Sequence, residues 1–335
     1  MKKTLPVAAA ALLLAACSSS LDPNAVRGAL PSADAVQLGS PAATSSGATA
    51  LRAPALVELD SLAVNAQALG ETPSYQSEYA VTSYWTAVTV NVGVWWTLTL
   101  VDTITHLRPT SCDETSCTWG PWVDDGGLNR WKLHVEKKDG GYAYVLSGQN
   151  GVQGGDFVPL VSGVAYPGPD RDHGKGSFSI DFDAQDALAH GPLWQKSDFG
   201  KLDVQYDTLA AVSIDVVLRN GRNNDPANPV FMNAVYAFDA TRGAGGELQV
   251  AFENLTTTEI ASLRTRWDAA GAGRSDAQYS GQDGVLGNGD DLFASECWAG
   301  QALGFVERYD SKIALGSEAL DCVFNPARYA DVVLP

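Results

Sequence analysis

The five cysteines are the residues of this chain with the clearest covalent chemistry. Cys17 directly follows an apolar stretch, and the other four form two widely separated pairs. An even number of cysteines in an exported chain is typical of disulfide bonds. Because each pair lies within one loop-rich segment, the spacing favours Cys112–Cys117 and Cys297–Cys322 over the other two pairings. The alternative is a four-cysteine zinc site, for which the spacing of Cys112 and Cys117 is loose.

Histidine and serine catalysis have little support in the sequence. The four histidines form no H-E-x-x-H motif and no close pair, so a zinc hydrolase is not indicated. They are His106, His134, His173 and His190. Ser275, in Gly-Arg-Ser-Asp-Ala, comes close to the G-x-S-x-G motif of serine hydrolases, but its surroundings are typical of a hairpin turn. We therefore expect no catalytic residue and no enzyme activity.

Two oxygen-rich segments are candidate metal sites. Segment 283–296 contains donors of the kind that calcium prefers, but not the D-x-D-x-D-G spacing of an EF-hand. These donors are Asp283, Asn288, Asp290, Asp291 and Glu296. Asp170, Asp172 and His173 form the second group, beside two prolines. A solvated loop and a surface turn are the favoured interpretations, so we expect no metal and no cofactor; the acidic loop remains an open question.

Tryptophan is abundant, with nine residues in the chain. Five of them could line a pocket for a lipid or a sugar, since their large rings bury much apolar surface. These five are Trp95, Trp96, Trp119, Trp122 and Trp131. The alternative is that they fill a core beneath a sheet. They are the strongest indication of a binding site in the sequence.

Residues 1–16 are predicted to be a lipoprotein signal peptide. Lys2 and Lys3 precede an uncharged apolar stretch that is too short to span a bilayer. The residues Leu-Ala-Ala-Cys at positions 14–17 match the bacterial lipobox, which predicts lipidation of Cys17. The alternative is an ordinary signal peptide cut near Ala16. By resemblance to the sorting rule of enteric bacteria, Ser18 indicates the outer membrane, on its periplasmic face or at the cell surface.

The net charge of −17 limits the classes of molecule that this protein is expected to bind. An acidic chain lacks the electrostatic footprint of a nucleic-acid-binding protein and is repelled by anionic headgroups. We therefore expect no nucleic acid, and contact with a membrane only through the N-terminal lipid.

The chain divides into a tether and one folded unit. Residues 17–55 are rich in Ser, Ala, Gly and Pro and have no sustained apolar period, so they are predicted to be the lipidated cysteine and a flexible tether. No second linker of that kind occurs in residues 56–335, which we interpret as a single β-rich domain.

Alternation of apolar and polar residues predicts about ten strands in sequential hairpins. Trp131, Leu133 and Val135 alternate with polar residues, and a glycine turn follows them. The same pattern recurs in segments 178–182, 202–206, 212–218, 230–239, 248–252 and 263–280. Such alternation gives an antiparallel sheet with one apolar side, which must be covered.

Segment 74–107 is the candidate cover. Its apolar residues recur at steps of three and four, which predicts a long helix. Segment 88–100 also alternates like a strand, so a hairpin is the alternative. We favour the helix because a single strand rarely exceeds ten residues. The predicted fold is mainly β (α+β): a single curved antiparallel sheet of about ten strands, an open half-barrel, wrapped around a long N-terminal apolar helix.

Five short motifs resemble those of a lipoprotein family, without an assigned activity, that is abundant in myxobacteria and related bacteria. They are Pro-Thr at 109–110, Trp-Gly-Pro-Trp at 119–122, Gly-Ser-Phe-Ser-Ile-Asp-Phe-Asp at 176–183, Gly-Ala-Gly-Arg-Ser-Asp at 271–276 and Glu-Cys-Trp at 296–298. The resemblance covers roughly residues 75–325 and implies the helix rather than the hairpin. The half-barrel with a helix is also similar to periplasmic lipoprotein carriers of the LolA/LolB type, a likeness of fold that does not fix function.

The sequence is compatible with three functions. The first is a non-enzymatic outer-membrane lipoprotein that cradles an apolar ligand or lipid. The second is a structural or adhesive protein of the cell envelope. The third, a hydrolase, has the least support.

Overall fold

The computed structural model describes residues 20–41, 76–124, 126–190, 199–222, 229–241, 243–281, 283–286, 291–301 and 304–335. The predicted lipidation site Cys17, the predicted signal peptide and residues 42–55 of the predicted tether lie outside these ranges.

The described residues form one antiparallel sheet of fourteen strands, in which each strand pairs with its neighbours in the chain. The first seven are β1 (Ser111–Cys112), β2 (Ser116–Val123), β3 (Asn129–Lys138), β4 (Gly141–Asn150), β5 (Val158–Asp170), β6 (His173–Asp181) and β7 (Lys201–Asp207). The other seven are β8 (Val212–Arg222), β9 (Phe231–Thr241), β10 (Gly245–Asn254), β11 (Ile260–Asp268), β12 (Gly273–Tyr279), β13 (Leu292–Gln301) and β14 (Gly304–Asp310). The mainly β class and the single open antiparallel sheet are confirmed, whereas the predicted number of about ten strands is wrong.

The alternation pattern does not predict strands β1, β2, β5, β13 and β14, because in these segments it is short or broken. The pairing register shifts near Trp119 in β2, near Pro167 in β5 and near Trp298 in β13. A bulge adds an unpaired residue and changes the face on which the following side chains lie. A search for a strict period of two therefore passes over these segments.

Helix α2 (Glu78–His106) follows a short first helix, α1 (Pro23–Ala29). Ser77 caps α2, because its hydroxyl accepts a hydrogen bond from the amide of Ala80 at 3.2 Å. The buried positions of α2 recur at steps of three and four and so occupy one face. They include Ala80, Ser83, Ala87, Asn91, Val94, Leu98, Val101 and Thr105. The helix predicted over 74–107 is confirmed, and the hairpin alternative is wrong.

Helix α2 reaches both ends of the sheet. At its N-terminus, Ser77 Oγ and Tyr79 N donate hydrogen bonds to Glu296 Oε2 on β13. Just after its C-terminus, Leu107 O accepts one from Trp119 Nε1 on β2. The helix of 29 residues, roughly 43 Å long, therefore runs along one face of the sheet from β13 to β2.

Residues 20–41 pack into the core and are not the flexible tether that we expected. Val26, Leu30, Val36 and Leu38 are buried in the main apolar cluster. Their periodicity is hidden in the sequence because each stands among Ala, Ser, Gly and Pro. This N-terminal segment lies beside α2 and packs against β4 and β5.

The face of β10–β13 that is turned away from α2 is covered by the C-terminal residues, which include helix α3 (Glu318–Asp321). Beneath them, the buried carboxylate of Asp276 binds Arg274 Nε at 2.6 Å and Arg266 Nη2 at 2.9 Å. The amide of Arg328 also donates to this carboxylate, at 3.0 Å. The disulfide Cys297–Cys322 joins β13 to this C-terminal segment, and Cys112–Cys117 joins β1 to β2. Both predicted disulfides are confirmed.

Candidate functional site

A cavity of about 350 Å³ lies between helix α2 and strands β3–β6. Its walls are mainly apolar. They consist of Thr97 and Leu100 on α2, Asn129 and Trp131 on β3, Leu146 on β4, Leu160 and Val161 on β5, Ile180 on β6, and Phe182, Gln185, Leu188, Ala189 and His190 after β6. Ligand pockets are typically concave, largely apolar and 300–1,000 Å³ in volume.

Strand register builds the floor of the cavity. Leu146, Val161 and Ile180 are direct neighbours across β4, β5 and β6, so their side chains form one row on the same face of the sheet. Trp131 on β3 pairs with Gly148 on the neighbouring strand β4. A Cβ atom at position 148 would lie 2.8 Å from Leu188 Cδ2, so the glycine gives Leu188 its place in the wall.

One end of the cavity is closed by a pair of hydrogen bonds. Asn129 Nδ2 donates to Ala189 O at 2.9 Å, and Ala189 N donates to Asn129 Oδ1 at 2.7 Å. These bonds fix the segment after the 3-10 helix Asp183–Ala187 against β3. The Asn129 amide is thereby occupied, whereas Gln185 offers a polar side chain at the wall.

The five candidate tryptophans are not brought together in one pocket. Of these five, only Trp131 lines the cavity. Trp119 is fully buried in the core, as the alternative interpretation expected, and Trp95 and Trp122 are half-buried. Trp96 is 67% exposed on the outer face of α2. The apolar residues Leu146, Val161 and Ile180, which the sequence analysis did not single out, define the cavity instead.

The middle of the outer face of α2 carries an exposed apolar stripe. Val92, Trp96 and Leu100 follow one another at steps of four. By length and composition the helix could also span a membrane. Its inner face, however, is tied to the domain by a 2.5 Å contact between the hydroxyls of Ser83 and Thr265. This contact indicates a helix packed within the domain.

At the N-terminal end of α2 the sheet face toward the helix becomes polar and acidic. Glu296, Glu307 and Asp310 are buried there. Lys312 Nζ lies 2.7 Å from Glu296 Oε1 and 3.9 Å from Asp310 Oδ2. Burial, and then the charges of Glu296 and Asp310, raise the pKa of Glu307 to about 7. The sequence signal was the acidic composition of β14, but its closeness to Glu296 depends on the pairing of β13 with β14.

The acidic loop predicted from the sequence is divided by the fold. Glu296 points to the helix, whereas Asp291 Oδ2 accepts a hydrogen bond from Gln278 and Asp283 Oδ1 accepts one from Val285 N. Asn288 and Asp290 lie outside the described residues. Among the described donors, Glu296 therefore lies at the helix, while Asp283 and Asp291 have hydrogen-bond partners of their own.

The remaining sequence candidates occupy structural positions. Ser275 is buried and its hydroxyl contacts that of Thr265 at 2.8 Å, so the near match to a hydrolase motif is part of a strand. His173 Nδ1 lies 2.6 Å from Asp170 Oδ1 in the turn between β5 and β6. That turn agrees with the surface interpretation of this group.

Comparisons of the chain with protein-family models, curated proteins and solved structures found no match. The resemblance to the myxobacterial lipoproteins and to LolA/LolB carriers therefore stays a prediction. The cavity beside α2 and the acidic cluster at its N-terminus remain the two features from which a function can be argued.

Proposed function

We propose that this protein is a lipid-anchored lipoprotein of the outer membrane that binds a small apolar ligand, such as one acyl chain, beside helix α2. The observation that carries the proposal is the cavity of about 350 Å³ with walls of Leu, Ile, Val, Phe and Trp. An apolar ligand gains about 25 cal/mol for each Å² of surface that it buries there. The shape that we infer is an open half-barrel around α2.

The exposed face of α2 supports a route for such a ligand. Leu100 belongs both to the cavity wall and to the exposed stripe that includes Trp96 and Val92. An acyl chain leaving a bilayer could therefore contact apolar surface continuously from the stripe to the cavity. Monomeric proteins seldom expose apolar residues in contiguous patches without a binding role.

The N-terminal lipid would orient the domain. Leu21 N donates a hydrogen bond to Asp113 O in the turn between β1 and β2. Three residues lie between Cys17 and Leu21, and the four steps from one to the other span at most about 14 Å. A lipid on Cys17 would therefore hold the β1–β2 edge close to the membrane, rather than letting the domain move freely on a long tether.

The proposal is tested with the purified mature protein. Solvent extraction followed by mass spectrometry should recover a co-purified lipid, and the extracted protein should bind a fluorescent fatty acid at one site. A clean extract together with no binding would contradict the proposal. It would favour the alternative of a structural or adhesive protein of the cell envelope.

A further inference from the structure

Three carboxylates at the N-terminal end of α2 are arranged closely enough to share one ion. They belong to Glu296 on β13 and to Glu307 and Asp310 on β14, and one oxygen of each lies within 4.8 Å of the others. Calcium binds oxygen ligands at 2.3–2.6 Å, so two ligands of one ion are at most roughly 5 Å apart. The three oxygens therefore satisfy the distance condition for a common cation.

Glu307 provides an independent sign of a ligand. The residue is only 8% exposed, and its carboxylate makes no hydrogen bond or ion pair with any described residue. Buried carboxylates are normally paired, because an uncompensated charge is costly away from water. The Glu307 carboxylate instead faces two other acids, while the ammonium of Lys312 pairs with Glu296 and not with Glu307.

We propose that Glu296, Glu307 and Asp310 bind Ca²⁺ at the N-terminal end of helix α2. All three ligands are hard carboxylate oxygens, which suit calcium. Zinc prefers ligand sets containing histidine or cysteine, and this trio contains neither. Magnesium demands near-ideal octahedral geometry, whereas calcium accepts irregular sets completed by water.

The ammonium of Lys312 would compete with calcium for these carboxylates. It is 2.7 Å from Glu296 Oε1 and 3.9 Å from Asp310 Oδ2, close to where the cation would be bound. The same ammonium is 3.2 Å from Glu78 Oε2, and the Glu78 side chain is exposed. Because the lysine stem is flexible, the ammonium can turn outward to Glu78 when calcium enters.

Binding would join two elements that are distant in the chain. Glu296 already accepts hydrogen bonds from Ser77 Oγ at 2.8 Å and Tyr79 N at 3.0 Å, in the first turn of α2. Glu307 and Asp310 belong to β14, at the edge of the sheet. Calcium would thus fasten the β13–β14 hairpin to the start of the helix, and the folded state would gain stability by mass action.

The test compares calcium binding by the full mature protein and three variants after removal of metal with a chelator. Calcium should raise the melting temperature of the wild type. Terbium should give luminescence sensitised by Tyr79, whose ring is 4.5 Å from Lys312 Nζ. Glu307→Gln should abolish both effects, while Glu136→Gln, an exposed strand position, should retain them. Lys312→Gln should bind calcium roughly tenfold more tightly, since it removes a nearby like charge.

Three results would overturn the proposal. They are a wild type whose melting temperature is unchanged by calcium, a Glu307→Gln variant that responds as the wild type does, and a Lys312→Gln variant with weaker binding. Glu307→Gln is expected to fold, because it breaks no hydrogen bond and removes a repulsion. If circular dichroism shows that it does not fold, the response of Lys312→Gln decides the matter.

Discussion

Asn91 in helix α2 and Leu38 in the N-terminal segment exchange two hydrogen bonds. Asn91 Nδ2 donates to Leu38 O at 2.8 Å, and Leu38 N donates to Asn91 Oδ1 at 2.7 Å. Both residues are buried. The pair satisfies the backbone of a segment that has no strand partner, so it holds residues 20–41 against the helix.

Replacement of Asn91 by alanine should release this segment. The buried N–H and C=O groups of Leu38 would both lose their hydrogen-bond partner. This loss should lower the free energy of unfolding by about 2–4 kcal/mol. Trypsin should then cleave faster at Arg27, as followed by mass spectrometry. Asn150→Ala, which removes hydrogen bonds from an exposed turn, is the control and should cost less. Equal cleavage of both variants would show that the Asn91 pair does not hold the segment.

Asp276→Asn should be strongly destabilising. Its buried carboxylate lies between Arg266 and Arg274, so the change leaves Arg266 without a carboxylate partner and Arg274 with Glu318 alone. Breaking a buried ion pair in this way costs about 3–5 kcal/mol. The matched control is Asp203→Asn, which breaks an exposed pair with Arg219 and should cost at most about 1 kcal/mol. Urea unfolding measures the stability lost by each of the two variants. Similar losses of stability would refute the structural role of Asp276.

Buried tyrosines predict a fall in stability at alkaline pH. Burial raises the pKa of Tyr236 to about 12 and also raises that of Tyr206. Below an ordinary tyrosine pKa of about 10, folded and unfolded chains both keep these protons, so stability is unaffected. Above it the unfolded chain ionises first, and the unfolding free energy should fall as the pH rises from about 10 toward 12. Tyrosinate absorbance and circular dichroism test this; full ionisation of all eleven tyrosines near pH 10 with the fold intact would contradict it.

Cys17→Ser should abolish lipid attachment. Cells that express the wild type should incorporate labelled palmitate into the protein, and the product should partition into detergent with the membranes. The serine variant should carry no label and retain its signal peptide. Label on the Cys17→Ser protein would place the lipid elsewhere and remove the basis for the orientation that we propose.

The sequence allowed the helix, the two disulfides and nine of the strands to be predicted, because these depend on local patterns. Helix α1 could also have been found, since Asp22 caps it and Pro23 is its first residue. The acidic cluster could not be predicted from the sequence, because Glu296 and Glu307 come together only when β13 pairs with β14 across a register shift. The cavity was also hidden, since Leu146, Val161 and Ile180 look like any other apolar strand positions.

The most direct test of the proposed function is a pair of substitutions on the outer face of α2. Leu100 lines the cavity and Val92 does not, although their exposed fractions are similar, at 41% and 39%. Leu100→Asp and Val92→Asp should therefore perturb folding equally little. They should differ only in how they affect a ligand inside the cavity.

The measurement is the affinity of each variant for a fluorescent fatty acid. Leu100→Asp should weaken binding about tenfold or more, because it replaces apolar wall with a charge, whereas Val92→Asp should bind as the wild type does. Equal weakening in both variants would mean that the fatty acid binds the outer face of the helix. Unchanged binding by Leu100→Asp would contradict the cavity as the binding site.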